Sequence, residues 1–295
     1  MAATIIDGKA VAARIRSDVA TEVERLVADG VRPRLAAVLV GEPPAGRIYA
    51  QSQQKQCNSV GIEYELCHLP ETTTQAELIE RIVRLNGDPS VTGIMLHMPL
   101  PEAIDPPQVQ FRIDPYKDVE GVSPANIGLV FYGEPIIAPC TALSVVELIR
   151  ESGVTIRGAE IVVVGQSDIV GKPVTMFMLE QMGTVTGCHI ATRDLSAHTR
   201  RADVLIVAVG KPGLITADHV KPGAVVIDVG INRIKVPDGK GGRISATIGD
   251  VDFASVAPVA GAVTPVPGGV GPVTVAMLLR NTVEAVRKQR EAEPS

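Results

Sequence analysis

The chain has 295 residues, enough for two cores of ordinary size with a cleft between them as the default place for a site. Hydrophobic residues make up 45% and charged residues 21%, while 28 Gly and 22 Pro bring many tight turns without a low-complexity period, so the composition is globular. A net charge of −5, no Trp and only 3% aromatics give neither a field nor a stacking surface for nucleic acid or anionic lipid, and neither partner is expected.

An opening helix from Gly8 to about Ala28 follows from Val11, Ile15, Val19, Val23 and Leu26, which recur at steps of four and three. Arg34 to Val40 reads as a buried strand, GEPPAG as a turn, and Arg47 to about Ser59 as a helix. The unit repeats with a strand near Ile62 to Leu69, a helix at Gln75 to Asn86 and a strand at Val91 to Leu96. Strands alternating with helices of this length predict an α/β fold with a parallel sheet. A Pro-rich segment, Pro99 to Pro139, precedes a helix at about Ala142 to Glu151, with Thr141 as its N-cap. Further strands are expected at Glu160 to Val164, Thr184 to His189, Val204 to Val209 and Ala224 to Val229. An amphipathic helix at about Thr274 to Arg290 should pack back on the first domain, and Glu291 to Ser295 should fray.

The uncharged stretch Phe253 to Leu279 contains Pro258, Pro265, Pro267 and Pro272, so it reads as loops plus buried strand rather than a membrane span. Met1 to Gly8 has no basic segment followed by an apolar block, and no signal peptide is expected. Cys57, Cys67, Cys140 and Cys188 form no C-x-x-C pair and the five histidines form no metal-binding spacing, which predicts a reduced, metal-free, cytoplasmic protein.

Within Ile161 to Pro173 (IVVVGQSDIVGKP) an apolar strand runs through Gly165, a short turn and Gly171 into a helix. Backbone N–H groups and the helix dipole would converge there on a pyrophosphate, with no Cβ in the way. Alone, the spacing also fits a plain tight turn. Val207 to Gly213 and Val226 to Asn232 end two more apolar strands in Gly-bearing loops, so three loops gather at one carboxyl edge and favour a cofactor. Gly210, Gly213 and Gly230 also fit simple turns, and Asp228 a local cap.

These loops, taken with TPVPGGVGPVTV (Thr264 to Val275), KDVEG (Lys117 to Gly121), MPLP (Met98 to Pro101), PCT (Pro139 to Thr141) and the opening IIDGK, resemble the bifunctional methylenetetrahydrofolate dehydrogenase/cyclohydrolase (FolD) family in order along nearly the whole chain. The resemblance implies a folate/catalytic domain over residues 1–138, completed by a carboxyl-terminal helix over 272–295, a Rossmann-type NAD(P)-binding domain over 139–271, and a homodimer. It implies oxidation of 5,10-methylenetetrahydrofolate with NADP or NAD and then hydrolysis of the methenyl product to 10-formyltetrahydrofolate. It assigns Tyr49, Leu96, His97, Pro99, Glu120, Pro265, Gly268 and Gly269 to the folate. To the cofactor it assigns Gly165, Gln166, Ser167, Val170, Gly171, His189, Ile190, Val209, Gly210, Gly230, Ile231 and Gly271.

The chain departs from the family where the catalytic groups would stand. Tyr-x-x-x-Lys reads Tyr49-Ala50-Gln51-Ser52-Gln53, so an amide replaces the amine on the helix face of the tyrosine. Lys55 lies about 200° around the helix from Gln53 and is no substitute. Adding water to the methenyl carbon needs a group that gains and loses a proton near neutrality, typically worth ~10²–10⁴ in rate, and Gln cannot do this. Hydride transfer is driven by a folate nitrogen lone pair and asks mainly for orientation and exclusion of water, so it should survive. His97 replaces the family's Gln and is aimed at the same spot, where an imidazole is a possible replacement base or simply a hydrogen-bonded ring. Glu120 replaces the Asp that grips the pterin, Gly46 a Ser and Ala142 a Pro. Tyr49 keeps the ring expected flat on the aminobenzoyl group, or else is a packed surface aromatic.

His189-Ile190-Ala191-Thr192 lacks the charged or polar residues that hold a 2′-phosphate and Gln166 is uncharged, which favours NAD, although Arg193 and Arg200 stand near in sequence. The expected activity is a dehydrogenase with weak or lost cyclohydrolase. An intact bifunctional enzyme using His97 or a water chain is the alternative, and a non-catalytic folate- or nucleotide-binding paralogue the second.

Overall fold

A computed structural model describes residues 3–42, 46–237 and 243–292, with residues 47–49 and 236–237 as backbone alone. In chain order its first elements are β1 (Thr4–Ile5), α1 (Gly8–Ala28), β2 (Arg34–Val40), α2 (Gly46–Ser59), β3 (Glu63–Leu69), α3 (Gln75–Gly87) and β4 (Gly93–Leu96). Then come α4 (Pro106–Gln110), α5 (Pro124–Phe131), α6 (Cys140–Glu151), β5 (Glu160–Val164), α7 (Gly171–Glu180), β6 (Thr184–Cys188), α8 (Leu195–Thr199) and β7 (Val204–Val207). The chain closes with β8 (Val225–Asp228), β9 (Asn232–Pro237), β10 (Arg243–Ile248), α9 (Phe253–Val256), β11 (Ala262–Val263) and α10 (Val270–Ala292). It forms two compact units: Met1–Ala12 with Thr141–Thr274, and Ala13–Cys140 with Val275–Ser295.

The larger sheet is parallel throughout, in the order β1-β11-β8-β7-β5-β6. Its central strands read IVVV, VLIV and VVI because helices and loops cover both faces of such a sheet. Val162, Val164, Leu205, Val207, Val226 and Val263 share one core. The opening residues join this unit, whereas the sequence reading counts them in the first domain. The reason is β1, which pairs with β11, while the amides of Ala3, Thr4 and Ile6 donate to Ala257, Gly261 and Val263.

The smaller sheet, β3-β2-β4, is also parallel. All of β2 except Arg34 is buried. Helix α3 starts in a capping box, Thr74 accepting from the Glu77 amide at 3.3 Å while Glu77 accepts from the Thr74 amide at 2.8 Å. It lays Leu78, Ile82 and Leu85 into the same core as Val38, Ile94 and Leu96. The carboxyl-terminal half of α10 buttresses this unit: Asn281 donates to the carbonyls of Val119 and Ala138, both at 2.9 Å, and Gln289 to those of Thr92 and Tyr116. Among the described residues no helix is long and apolar enough to cross a membrane.

Several elements differ from expectation, and proline explains three. Helices α4 and α5 lie in the segment expected to be irregular, each with Pro in its first turn, where the missing N–H is no loss. Pro272 likewise occupies the first turn of α10, which therefore begins at Val270 rather than Thr274. Thr141 is not an N-cap, because α6 already begins at Cys140. The antiparallel hairpin β9–β10 has no counterpart in the sequence reading; its second strand is largely exposed and lacks an apolar run. The strands before the cofactor loops end earlier than expected, β7 at Val207 and β6 at Cys188.

Candidate active site

In the smaller unit the KDVEG loop runs beside β4, with a parallel bridge between Ile94 and Asp118 and a 2.7 Å bond from the Ile94 amide to the Lys117 carbonyl. This is why Glu120 reaches the end of that strand, where Oε2 accepts the Leu96 amide at 3.3 Å. Gly121 has φ +67°, and a side chain there would run into the Ala138 and Pro139 backbone, so only glycine allows the turn that follows Glu120. Burial pushes the Glu120 carboxyl up to about 7, opposed by the Leu96 amide and reinforced by the negative charge of Asp118. One Asp118 oxygen is buried without a hydrogen-bond partner, while the other accepts from the Ser123 amide and the Asn126 side chain.

His97 follows directly, held by a 2.9 Å bond from its amide to the Val38 carbonyl. Its ring is buried and burial lowers its pKa, so the imidazole is neutral at neutral pH. Nε2 lies 3.3 Å from the Tyr64 hydroxyl, which also donates to Gln53 Oε1 at 3.5 Å. The structure thus joins Gln53 of α2 and His97 of β4's end through Tyr64 of β3, a residue the sequence reading did not single out. Tyr64 sits in an unremarkable strand sequence, and only folding brings it to partners 11 and 33 positions away. Of the other residues assigned to the folate, Leu96 has its side chain in the core and offers its amide to Glu120 instead, and Pro99 is exposed. The Tyr49 side chain lies outside the described residues. Pro265, Gly268 and Gly269 belong to the larger unit.

In that unit Gly165 ends β5 with φ +104°, its amide bonded to the Cys188 carbonyl at 2.9 Å. A Cβ on Gly165 would strike the Ala208 carbonyl, and one on Gly171 would strike the carbonyl of Gly165, so the turn and the first turn of α7 close on each other through bare backbone. Ser167 accepts the Lys172 amide, and Val170 stands as the residue before α7. The Gln166 side chain folds back to donate to the Val163 carbonyl at 3.0 Å. After β6, the His189 amide bonds Thr192 Oγ1 and the Ala191 amide bonds His189 Nδ1, which leaves Ile190 fully exposed.

Two buried carboxylates fix the remaining loops. Asp250 Oδ2 accepts the amides of Val209 and Gly210 at 2.7 and 2.9 Å, and its Oδ1 accepts the Asn232 side chain at 2.8 Å. Asp228 accepts the amides of Gly230, Asp250 and Val251 at 2.9, 3.0 and 3.0 Å. Asp228 is therefore the cap the sequence allowed, extended from its own loop to a second chain segment at Asp250 and Val251. Burial raises its carboxyl to about 6 against these three donors. Asp250 went unnoticed in the sequence because its partners lie 18, 40 and 41 positions away. Ile231 is exposed, and Gly271 lies in the first turn of α10.

The model for the tetrahydrofolate dehydrogenase/cyclohydrolase catalytic domain matches residues 6–120, and that for the NAD(P)-binding domain of the same proteins matches residues 139–290. The chain belongs to this family. A relative from Moorella thermoacetica, named bifunctional protein FolD, is 51% identical over 98% of this chain and 100% of its own. The crystal structure of the bifunctional FolD enzyme from Campylobacter jejuni has a TM-score of 0.91 at 41% identity, covering 98% of this chain and 100% of that one. The Trypanosoma brucei FolD, solved with NADP cofactor and an inhibitor, also scores 0.91, at 37% identity over 99% of this chain and 100% of that one. Within the family's two-part architecture, Gln53, Tyr64, His97 and Glu120 lie in the smaller unit and the three glycine loops in the larger.

Proposed function

We propose that this chain oxidises 5,10-methylenetetrahydrofolate with NAD(P)+ and then hydrolyses the methenyl product to 10-formyltetrahydrofolate. The observation that carries the reading is the match along 98% of the chain to the Campylobacter jejuni enzyme, whose name gives both activities. Bare backbone lets the Gly165 turn close on Gly171 at the N-terminus of α7, a helix end of the kind that suits a pyrophosphate. Gly165 to Gly171, Val209, Gly210 and Gly230 would hold the dinucleotide, which supplies the hydride acceptor. Exposed Ile190 and the inward-folded Gln166 offer no charge for a 2′-phosphate, which supports NAD as the better cofactor. A cytoplasmic homodimer completes the reading, with light scattering as the check on the dimer.

The chemistry divides over two sets of residues. In the first step the C–H bond of the methylene bridge breaks, its electron pair leaves as hydride and a folate nitrogen lone pair closes the methenyl cation. The protein's part is orientation, with Glu120 holding the pterin. In the second step water adds to the methenyl carbon, a ring C–N bond opens and one proton is released overall. Gln53 cannot take that proton; neutral His97 can.

The second reading, a dehydrogenase with little hydrolysis, is favoured by Gln53 alone. One experiment separates the two: purified protein is followed for cofactor reduction and for methenyl absorbance together. Methenyl decay above the buffer rate, falling ~10²–10⁴-fold in His97→Ala, is the expected result. Accumulation of the methenyl species by the wild-type protein selects the second reading, and absence of folate-dependent reduction with either NAD or NADP defeats both.

A further inference from the structure

Among the described residues Gln53 and His97 share the hydroxyl of Tyr64 as a hydrogen-bond partner, and that hydroxyl has one proton to give. Gln53 presents Oε1, an acceptor only. If the phenol proton pointed to His97, two oxygen lone pairs would face each other across the Gln53 contact. With the proton on the Gln53 side, Oε1 accepts it, the phenol oxygen accepts Nε2–H of His97 at 3.3 Å, and every group keeps a partner. The phenol stays protonated in use, since burial and the neighbouring sulfurs of Cys57 and Cys67 raise its pKa. Those two thiols are themselves held above their ordinary range by burial and stay neutral. Glu120 is bonded to the Leu96 amide next to His97, with Asp118 acting on it, and Glu65 is the carboxylate against Cys67.

We propose that Tyr64 is a positioning residue of this site: it fixes His97 as the Nε2–H tautomer with its Nδ1 lone pair free, and turns the amide N–H groups of Gln53 away from itself. Each bond is long and weak in isolation, and together they decide orientation rather than stability. The consequence for Gln53 is specific. With Oε1 tied to Tyr64, the residue offers the remaining space two neutral donors where the family has an ammonium. It therefore serves as a hydrogen-bond donor to bound substrate and not as a proton carrier. This inference rests on the functional reading above for its substrate but not for its geometry.

The test uses full-length protein with 15N-labelled histidine, the His97 signal being assigned from a His97→Gln variant. Long-range 1H–15N correlation in wild-type protein at neutral pH should show His97 as the Nε2–H tautomer, and Tyr64→Phe should show a mixture of both. Methenyl hydrolysis by Tyr64→Phe should fall about tenfold, the equivalent of one lost hydrogen bond. An Nδ1–H tautomer in the wild type overturns the proposal, even if Tyr64→Phe fails to fold. A folded Tyr64→Phe protein with an unchanged tautomer, or with hydrolysis within twofold of wild type, overturns it equally. Wild-type protein that reduces no cofactor with folate would defeat the functional reading, while the tautomer measurement still decides the role of Tyr64.

Discussion

Glu120→Gln separates the cost of burying a carboxylate from its use, because the two have opposite signs. Glu120 has its carboxyl raised from an ordinary 4.5 to about 7 by burial, with one long backbone bond opposing. A group whose folded pKa is raised contributes its stability fully below pH 4.5 and loses it as pH climbs through 7, since ionisation is easier in the unfolded chain. At about 1.36 kcal/mol per pH unit the loss approaches about 3 kcal/mol by pH 8. Glu120→Gln stays neutral, so chemical denaturation should find it up to about 3 kcal/mol more stable than wild type at pH 8 and nearly equal at pH 4. Catalysis should move the other way. The ionised fraction of Glu120 rises from about a tenth at pH 6 to about nine-tenths at pH 8, so dehydrogenase kcat/KM for the folate should rise about tenfold over that range. In Glu120→Gln that slope should vanish, with a further loss of about 10–100-fold at pH 8 for one charge-assisted hydrogen bond. A variant that is no more stable at pH 8, or that keeps the wild-type pH profile, would refute the argument.

Asp250→Asn leaves a single acceptor oxygen where two backbone amides and a side-chain amide now converge. Hydrogen exchange at Val209 and Gly210 should accelerate, KM for the dinucleotide should rise about tenfold, and stability should fall by about 2 kcal/mol. Gly165→Ala sets a methyl against the Ala208 carbonyl at a φ that L-residues rarely adopt. The expected result in a thermal melt is a loss of at least about 2 kcal/mol, with dinucleotide affinity lost in whatever protein folds.

The parts of this molecule legible in the sequence are those encoded locally. The runs RLAAVLV, EIVVV and VVID announce buried parallel strands because nothing but burial on both faces explains them. The Gly165 turn is legible for the same reason, since the glycine spacing and the strand before it lie within a dozen residues. What the sequence hides is long-range. Asp250 reads as an ordinary loop acid until folding brings it under Val209 and Gly210. Asn281 is one polar residue among several in an amphipathic helix until it is seen holding the carbonyls of Val119 and Ala138, just before Glu120 and Cys140. The prolines of α4, α5 and α10 mislead for a different reason: as punctuation they mark a break, yet in the first turn of a helix they mark its start.

Position 53 cannot be understood by itself. Read along the chain, Gln53 stands where the resemblance implies a catalytic amine. Read in space, it is one end of a contact that runs through Tyr64 to a buried, neutral imidazole, with a carboxylate titrating near neutrality one strand residue away. An ammonium at 53 would stand beside the Tyr64–His97 pair, and a positive charge there would depress the proton affinity of the imidazole further. Residues in one hydrogen-bonded network do not contribute additively, so the effect of a single substitution does not carry over unchanged to a site whose neighbours differ. Gln53, Tyr64 and His97 meet only in the folded unit, where Glu120 also reaches the Leu96 amide next to His97.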